Sequence, residues 1–118
     1  MNLKQKISEG IVTTGSWITF SDPSVAEVMA KAGFDWLTID LEHSAISMKQ
    51  AENLIRTIEL CSVDPLVRLT SNDPNQIKRV LDAGAKGIIV PMVKTLQEAN
   101  NAVNSAYYPP KGTRPYGL

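Results

Sequence analysis

The chain has 118 residues, 43% of them hydrophobic and 20% charged, with 12 basic and 12 acidic side chains that cancel. That make-up fits one globular domain over 1–118 and excludes a disordered tail. With no Lys/Arg-rich run there is no electrostatic footprint for nucleic acid or an anionic membrane surface, and no stretch approaches the ~20 apolar residues of a membrane span. The polar start, Met1 to Gly10, carries Lys4 and Lys6 without a following apolar run of signal-peptide length, so a cytoplasmic protein is expected. Cys61 is the only cysteine, which rules out an internal disulfide and a thiolate metal cluster. It reads as a small apolar residue near a helix end rather than a nucleophile.

Leu3 to Glu9 has weak helical character and ends at Gly10. Thr13 to Phe20, with Trp17, Ile18 and Phe20, reads as a first strand. Ser21-Asp22-Pro23 then supplies a capping side chain followed by proline at the first helical position, and the helix runs to Gly33. Trp36 to Ile39 reads as a second, buried strand that leads into Asp40, Glu42, His43 and Ser44. Met48 to Leu60 places Ala51, Leu54, Ile55 and Ile58 at helical spacing. Val63-Asp64-Pro65 is expected as a turn, Leu66 to Thr70 as strand three, and Asn72-Asp73-Pro74 as the start of a helix that ends at Gly84. Gly87 to Val90 is strand four, Thr95 to Ala106 a last helix, and Tyr107 to Leu118 a tail without periodicity.

Strand and helix thus alternate four times, the signature of an α/β fold with a parallel sheet and helical crossovers. A repeat supports it: Asp22-Pro23 with Ala32-Gly33 recurs 51 positions later as Asp73-Pro74 with Ala83-Gly84. Two units in 51 residues is close to what a TIM (β/α)8 barrel of ~250 residues spends. The expectation is four of eight units, half a barrel, with its chemistry at the carboxyl ends of the strands.

Those ends carry the candidate residues. His43, the only histidine, can move a proton near neutral pH, and an adjacent carboxylate such as Asp40 can fix its tautomer, although Asp-x-Glu-His also fits a solvated loop. Arg68 sits inside an apolar strand, where its charge needs an anionic partner. That partner is a substrate carboxylate or enolate gripped by the guanidinium fork, or Asp40 or Glu42 in an internal ion pair, two readings that are compatible; an edge-strand arginine reaching out to water is the other alternative. Lys94 follows the fourth strand in a loop and reads as a solvated helix-start residue rather than a Schiff-base lysine. Gly112 to Gly117, with Arg114, lacks phosphate-loop spacing.

With these residues in place, the sequence resembles the HpcH/HpaI aldolase and citrate lyase family of metal-dependent pyruvate aldolases. The likeness rests on Ala32-Gly33-Phe34-Asp35-Trp36-Leu37, Ile39-Asp40, Glu42-His43, Val67-Arg68, Asn72-Asp73-Pro74, Gln76-Ile77-Lys78, Leu81-Asp82, Val90-Pro91-Met92-Val93 and Tyr108-Pro109-Pro110 with Gly112 and Arg114. The resemblance implies a barrel that binds pyruvate on magnesium, manganese or cobalt and reversibly adds an aldehyde to its enolate. It assigns His43 as the catalytic histidine, Asp40 as its hydrogen-bonding partner, Arg68 as the pyruvate-binding arginine and Glu42 to the metal's water shell. Small oxo acids and aldehydes are then the partners. Two departures stand out: the family's glutamate and aspartate metal ligands lie in later strands not contained here, and its usual Arg-Gly is Arg114-Pro115. A chain of this kind is expected to dimerise by pairing half barrels or to aggregate, with Trp17, Leu37, Ile39, Leu69, Ile89 or their neighbours partly open on the uncovered sheet face, and to lack metal-dependent aldolase activity in isolation.

Overall fold

A computed structural model describes residues 1–117. The elements, in order, are α1 (Leu3–Ser8), β1 (Gly15–Ile18), α2 (Pro23–Ala30), β2 (Trp36–Asp40), α3 (Met48–Leu60), β3 (Asp64–Arg68), α4 (Pro74–Asp82), β4 (Gly87–Ile89) and α5 (Leu96–Ala106). The four strands form one parallel sheet in the order β1-β2-β3-β4, as alternation of strand and helix requires.

The repeat in the sequence is a repeat in structure. Asp22 and Asp73 each accept a hydrogen bond from the backbone N–H two residues on, ahead of a proline in the first turn of α2 or α4. Each helix is followed by a glycine at positive φ, Gly33 at 100° and Gly84 at 109°, where a side chain would be strained. Ser47 and Gln50 close a capping box on α3.

One boundary differs from expectation. Asp64 and Pro65 belong to β3 rather than to a turn, paired with Trp36 and Leu37. Proline is tolerated there because it stands near the strand's start, and its carbonyl still accepts the Lys86 N–H at 2.8 Å.

Strand register sorts the side chains onto two faces. One face holds Ile18, Leu37, Ile39, Val67 and Leu69, fully buried against Ala26, Ala51, Leu54, Ile55, Ile58, Ile77 and Val80 of the helices. The sequence reading offered Leu37, Ile39 and Leu69, or their neighbours, for the open face. The register puts them under the helices instead, because side chains alternate along a strand and these share a face with Ile18 and Val67. The other face presents Trp17, Trp36, Thr38, Asp40, Leu66, Arg68 and Ile89.

Gly15 and Trp36 are register partners on that second face, and the Trp36 indole occupies the space a Gly15 side chain would need. A Cβ there would meet the ring at 2.0 Å. Gly15→Ala is therefore expected to destabilise the fold by about 1–3 kcal/mol through overpacking, read as a lower urea midpoint; an unchanged midpoint contradicts this packing.

α1 closes the amino-terminal end of the sheet. The Leu3 N–H donates to Asp64 Oδ2 at 2.6 Å, and Lys6 Nζ pairs with Asp35 Oδ1 at 2.5 Å. The last residues also do more than the aperiodic sequence predicts. Arg114 binds Asp82 at 2.6 Å and lies 4.3 Å above the Tyr108 ring, which stacks on Tyr116, strapping the tail to the end of α4.

Candidate active site

At the carboxyl ends of β2 and β3 the register pairs Asp40 with Arg68, so both side chains leave neighbouring strands on the same face. The guanidinium grips the carboxylate as a fork: Nε donates to Oδ1 at 3.0 Å and Nη2 to Oδ2 at 2.7 Å. Asp40 is 3% exposed, and this pairing, with the loop N–H groups of Glu42 and His43, makes burial of its charge tolerable. The Arg68 hydrogen bond holds the Asp40 carboxyl below the usual aspartate range; burial opposes this, and the backbone N–H groups of His43 and Glu42 add to it. In return Asp40 strengthens the hold of Arg68 on its proton.

Asp40 also shapes the loop that follows. Its Oδ1 accepts the N–H of Glu42 at 3.0 Å and of His43 at 3.2 Å, folding the chain back over the strand end. Ser44 completes the turn: its Oγ donates to the Asp40 carbonyl and accepts the Ile46 N–H at 3.2 Å. The loop thereby delivers Glu42 beside Arg68, with Oε1 3.7 Å from Nη1. The same Oε1 lies 2.8 Å from His43 Nε2.

Asp40, Glu42, His43 and Arg68 are thus brought together, as the sequence suggested, with one difference. Asp40 meets His43 through the backbone N–H, and the ring's carboxylate partner is Glu42. The strand stops at Asp40 and the chain turns, held by the hydrogen bonds to Oδ1. The internal ion pair proposed for Arg68 is present, yet Nη1 donates no hydrogen bond among the described residues. The side chain can hold Asp40 and still offer a donor edge to an anion.

Trp17 is the member sequence reasoning missed. Its ring lies 4.5 Å from Arg68 Cζ, on the inner face of β1, and fixes the plane of the guanidinium by a cation–π contact. Its placement in a strand beside the one carrying Asp40 was the available signal. Lys94 is exposed before α5, its backbone N–H donating to Glu98 Oε2 at 2.7 Å, and Cys61 sits at the end of α3 against the core. Neither joins the site.

A divalent metal finds no seat on these residues alone. Both Asp40 oxygens are committed to Arg68, Glu42 is shared between His43 and Arg68, and no cluster of three or more His, Cys, Asp or Glu suited to a metal occurs among the described residues.

Residues 13–117 match the family model for HpcH/HpaI aldolase/citrate lyase. The chain is 40% identical over 114 residues to a 4-hydroxy-2-oxo-heptane-1,7-dioate aldolase of Salmonella dublin, covering 97% of this chain and 43% of that protein. It is 39% identical over 100 residues to a 2-dehydro-3,6-dideoxy-6-sulfogluconate aldolase of Pseudomonas putida, covering 85% and 39%. Among solved structures, an HpcH/HpaI aldolase from Desulfitobacterium hafniense superposes with a TM-score of 0.92 at 32% identity, covering all of this chain and 46% of that one. A citrate synthase superposes with a TM-score of 0.93 at 37% identity, covering 98% and 47%. The chain spans less than half the length of these relatives, and its four parallel strand-helix units are a part of their TIM-barrel-like fold. With its sequence matched from Thr13 to Gly117 and its whole length superposed on an HpcH/HpaI aldolase, the chain belongs to the HpcH/HpaI aldolase/citrate lyase family.

Proposed function

We propose that the chain supplies the proton-handling and anion-binding part of a lyase that reversibly cleaves a 4-hydroxy-2-oxo acid to pyruvate and an aldehyde. The observation that carries this reading is the juxtaposition of Arg68 Nη1, which faces Glu42 across 3.7 Å without donating a hydrogen bond among the described residues, with the Glu42–His43 pair at the carboxyl end of the sheet. In the cleavage direction His43 takes the proton of the C4 hydroxyl, the C3–C4 bond breaks, the aldehyde departs, and its bonding electrons remain as the pyruvate enolate. The proton on His43 then returns to C3. Glu42 accepts from Nε2–H, which leaves Nδ1 as the basic nitrogen. Arg68 Nη1 binds the oxo acid and stabilises the enolate charge as it develops.

The divalent metal implied by the resemblance requires carboxylates from outside the 118 residues, so the isolated chain is expected to be inactive. A second reading, a non-catalytic half barrel, is favoured by that same lack of a metal seat among the described residues. Fusing this chain to the unmatched part of the Salmonella aldolase separates the two. Pyruvate release from a 4-hydroxy-2-oxo acid by the folded fusion supports catalysis; a folded fusion without turnover supports the inert half barrel. In an active fusion, Arg68→Lys should raise KM for the oxo acid by at least about tenfold, the cost of one charge-assisted hydrogen bond, because lysine cannot hold Asp40 and substrate at once. An unchanged KM removes Arg68 from substrate binding.

A further inference from the structure

We propose that Ser44 is a positioning residue for proton transfer: its hydroxyl, tied to the backbone on both sides of His43, holds the imidazole where the proton of the oxo acid is collected. The inference rests on His43 as the base, the reading given above, and adds what keeps that base in place. The imidazole itself creates the need. The His43 side chain is 71% exposed, and its side-chain partner is Glu42, the residue before it in the same loop. A contact between chain neighbours moves with the loop, and Glu42 faces Arg68 only across 3.7 Å. The place of the base relative to β3 is therefore set by the loop's backbone.

That backbone is fixed at its two ends. At the strand end the Leu41 N–H donates to the Arg68 carbonyl at 3.0 Å, and Asp40 Oδ1 accepts the N–H groups of Glu42 and His43. At the helix end Ser47 caps α3. Ser44, Ala45 and Ile46 lie between, and among the described residues the hydrogen bonds that tie this stretch are those of the Ser44 hydroxyl. It donates to the Asp40 carbonyl four residues back and accepts the Ile46 N–H, so one side chain joins the end of β2 to the approach of α3 with His43 enclosed between the attachments. Leu41 and Ile46, both buried, give those attachments a fixed footing. β2 is an inner strand between β1 and β3, and each of these bonds is made within the loop or to β3, so the clamp is complete without anything beyond the edges of the sheet. Proton transfer needs the base within about 3 Å of its proton's carrier, and a misplacement of about 1 Å can cost on the order of 10²-fold. Arg68 has its own supports, the fork to Asp40 and the Trp17 ring. Loss of the Ser44 hydroxyl therefore falls on turnover and spares binding.

Steady-state kinetics of the fusion described above test this role, with backbone amide order parameters measured by NMR on the same folded protein. Ser44→Ala should lower kcat for cleavage of a 4-hydroxy-2-oxo acid by at least about tenfold, while KM stays within about twofold of the unsubstituted value. Ser44→Thr keeps the hydroxyl and should restore most of kcat. The order parameters of Glu42 and His43 should fall from about 0.85 to below about 0.6 in Ser44→Ala, with those of α3 unchanged. An unchanged kcat, a KM that rises as kcat falls, a threonine variant no better than alanine, or a loop as rigid in Ser44→Ala as without it overturns the proposal. Loss of turnover in His43→Ala but not in Ser44→Ala ends the Ser44 role and leaves His43 as the base. Full turnover in His43→Ala, or a folded fusion without turnover, ends the reading above and the role of Ser44 with it.

Discussion

In the active fusion, His43→Ala should slow exchange of the pyruvate methyl protons with solvent by about 10²–10⁴-fold, the usual loss on removing a general base. The fold should be unaffected. His43 lies in the loop after β2 with its side chain 71% exposed, and its one side-chain partner is the neighbouring Glu42. The backbone N–H that it donates to Asp40 survives the substitution, so the loop keeps its turn and Arg68 keeps its fork. A large loss of exchange with unchanged far-UV circular dichroism is the expected pair of results. Exchange at the unsubstituted rate would make His43 a solvated loop residue and leave Arg68 as the only substrate-facing group in the cluster.

Asp40→Asn should act on stability. The substitution keeps the shape but removes the charge that faces Arg68, leaving a guanidinium wedged between Trp17 and an amide that can accept only one arm of the fork. Breaking a buried ion pair from one side typically costs 3–5 kcal/mol, and about 3 kcal/mol is expected here because a quarter of the Arg68 side chain stays open to water. The pH dependence has a definite sign. The Asp40 carboxyl titrates lower in the folded chain than its unfolded-state value of ~3.9, because Arg68 and two backbone N–H groups favour the carboxylate. Its contribution is therefore complete above that unfolded value and is lost as pH falls through the lower folded value. Urea titrations at pH 7 and at pH 3 should show wild type and Asp40→Asn far apart at the first and closer at the second. A constant gap would mean that the stabilisation does not come from ionised Asp40.

Local chemistry made much of the architecture legible in advance. Asp22-Pro23 and Asp73-Pro74 carry their helix starts in two residues each, Gly33 and Gly84 carry the stops, and short apolar runs between them can only be buried strands, so parallel strand order followed. The resemblance carried the family, and the matched residues Asp40, Glu42, His43 and Arg68 lie together because adjacent parallel strands end at one edge.

The sequence by itself determined the units, their order and the end of the sheet where the polar residues gather, since caps, glycines and apolar periodicity act within a few residues of one another. Only the tertiary structure decided which face each strand residue takes, because a shift of one position exchanges the two faces and the register is set by packing across strands. That is why Leu37, Ile39 and Leu69 lie under the helices, and why Trp17 stands over Arg68 from 51 residues away. It also decided the partners within the cluster: Asp40 spends its oxygens on Arg68 and the loop's N–H groups, so the imidazole is left to Glu42.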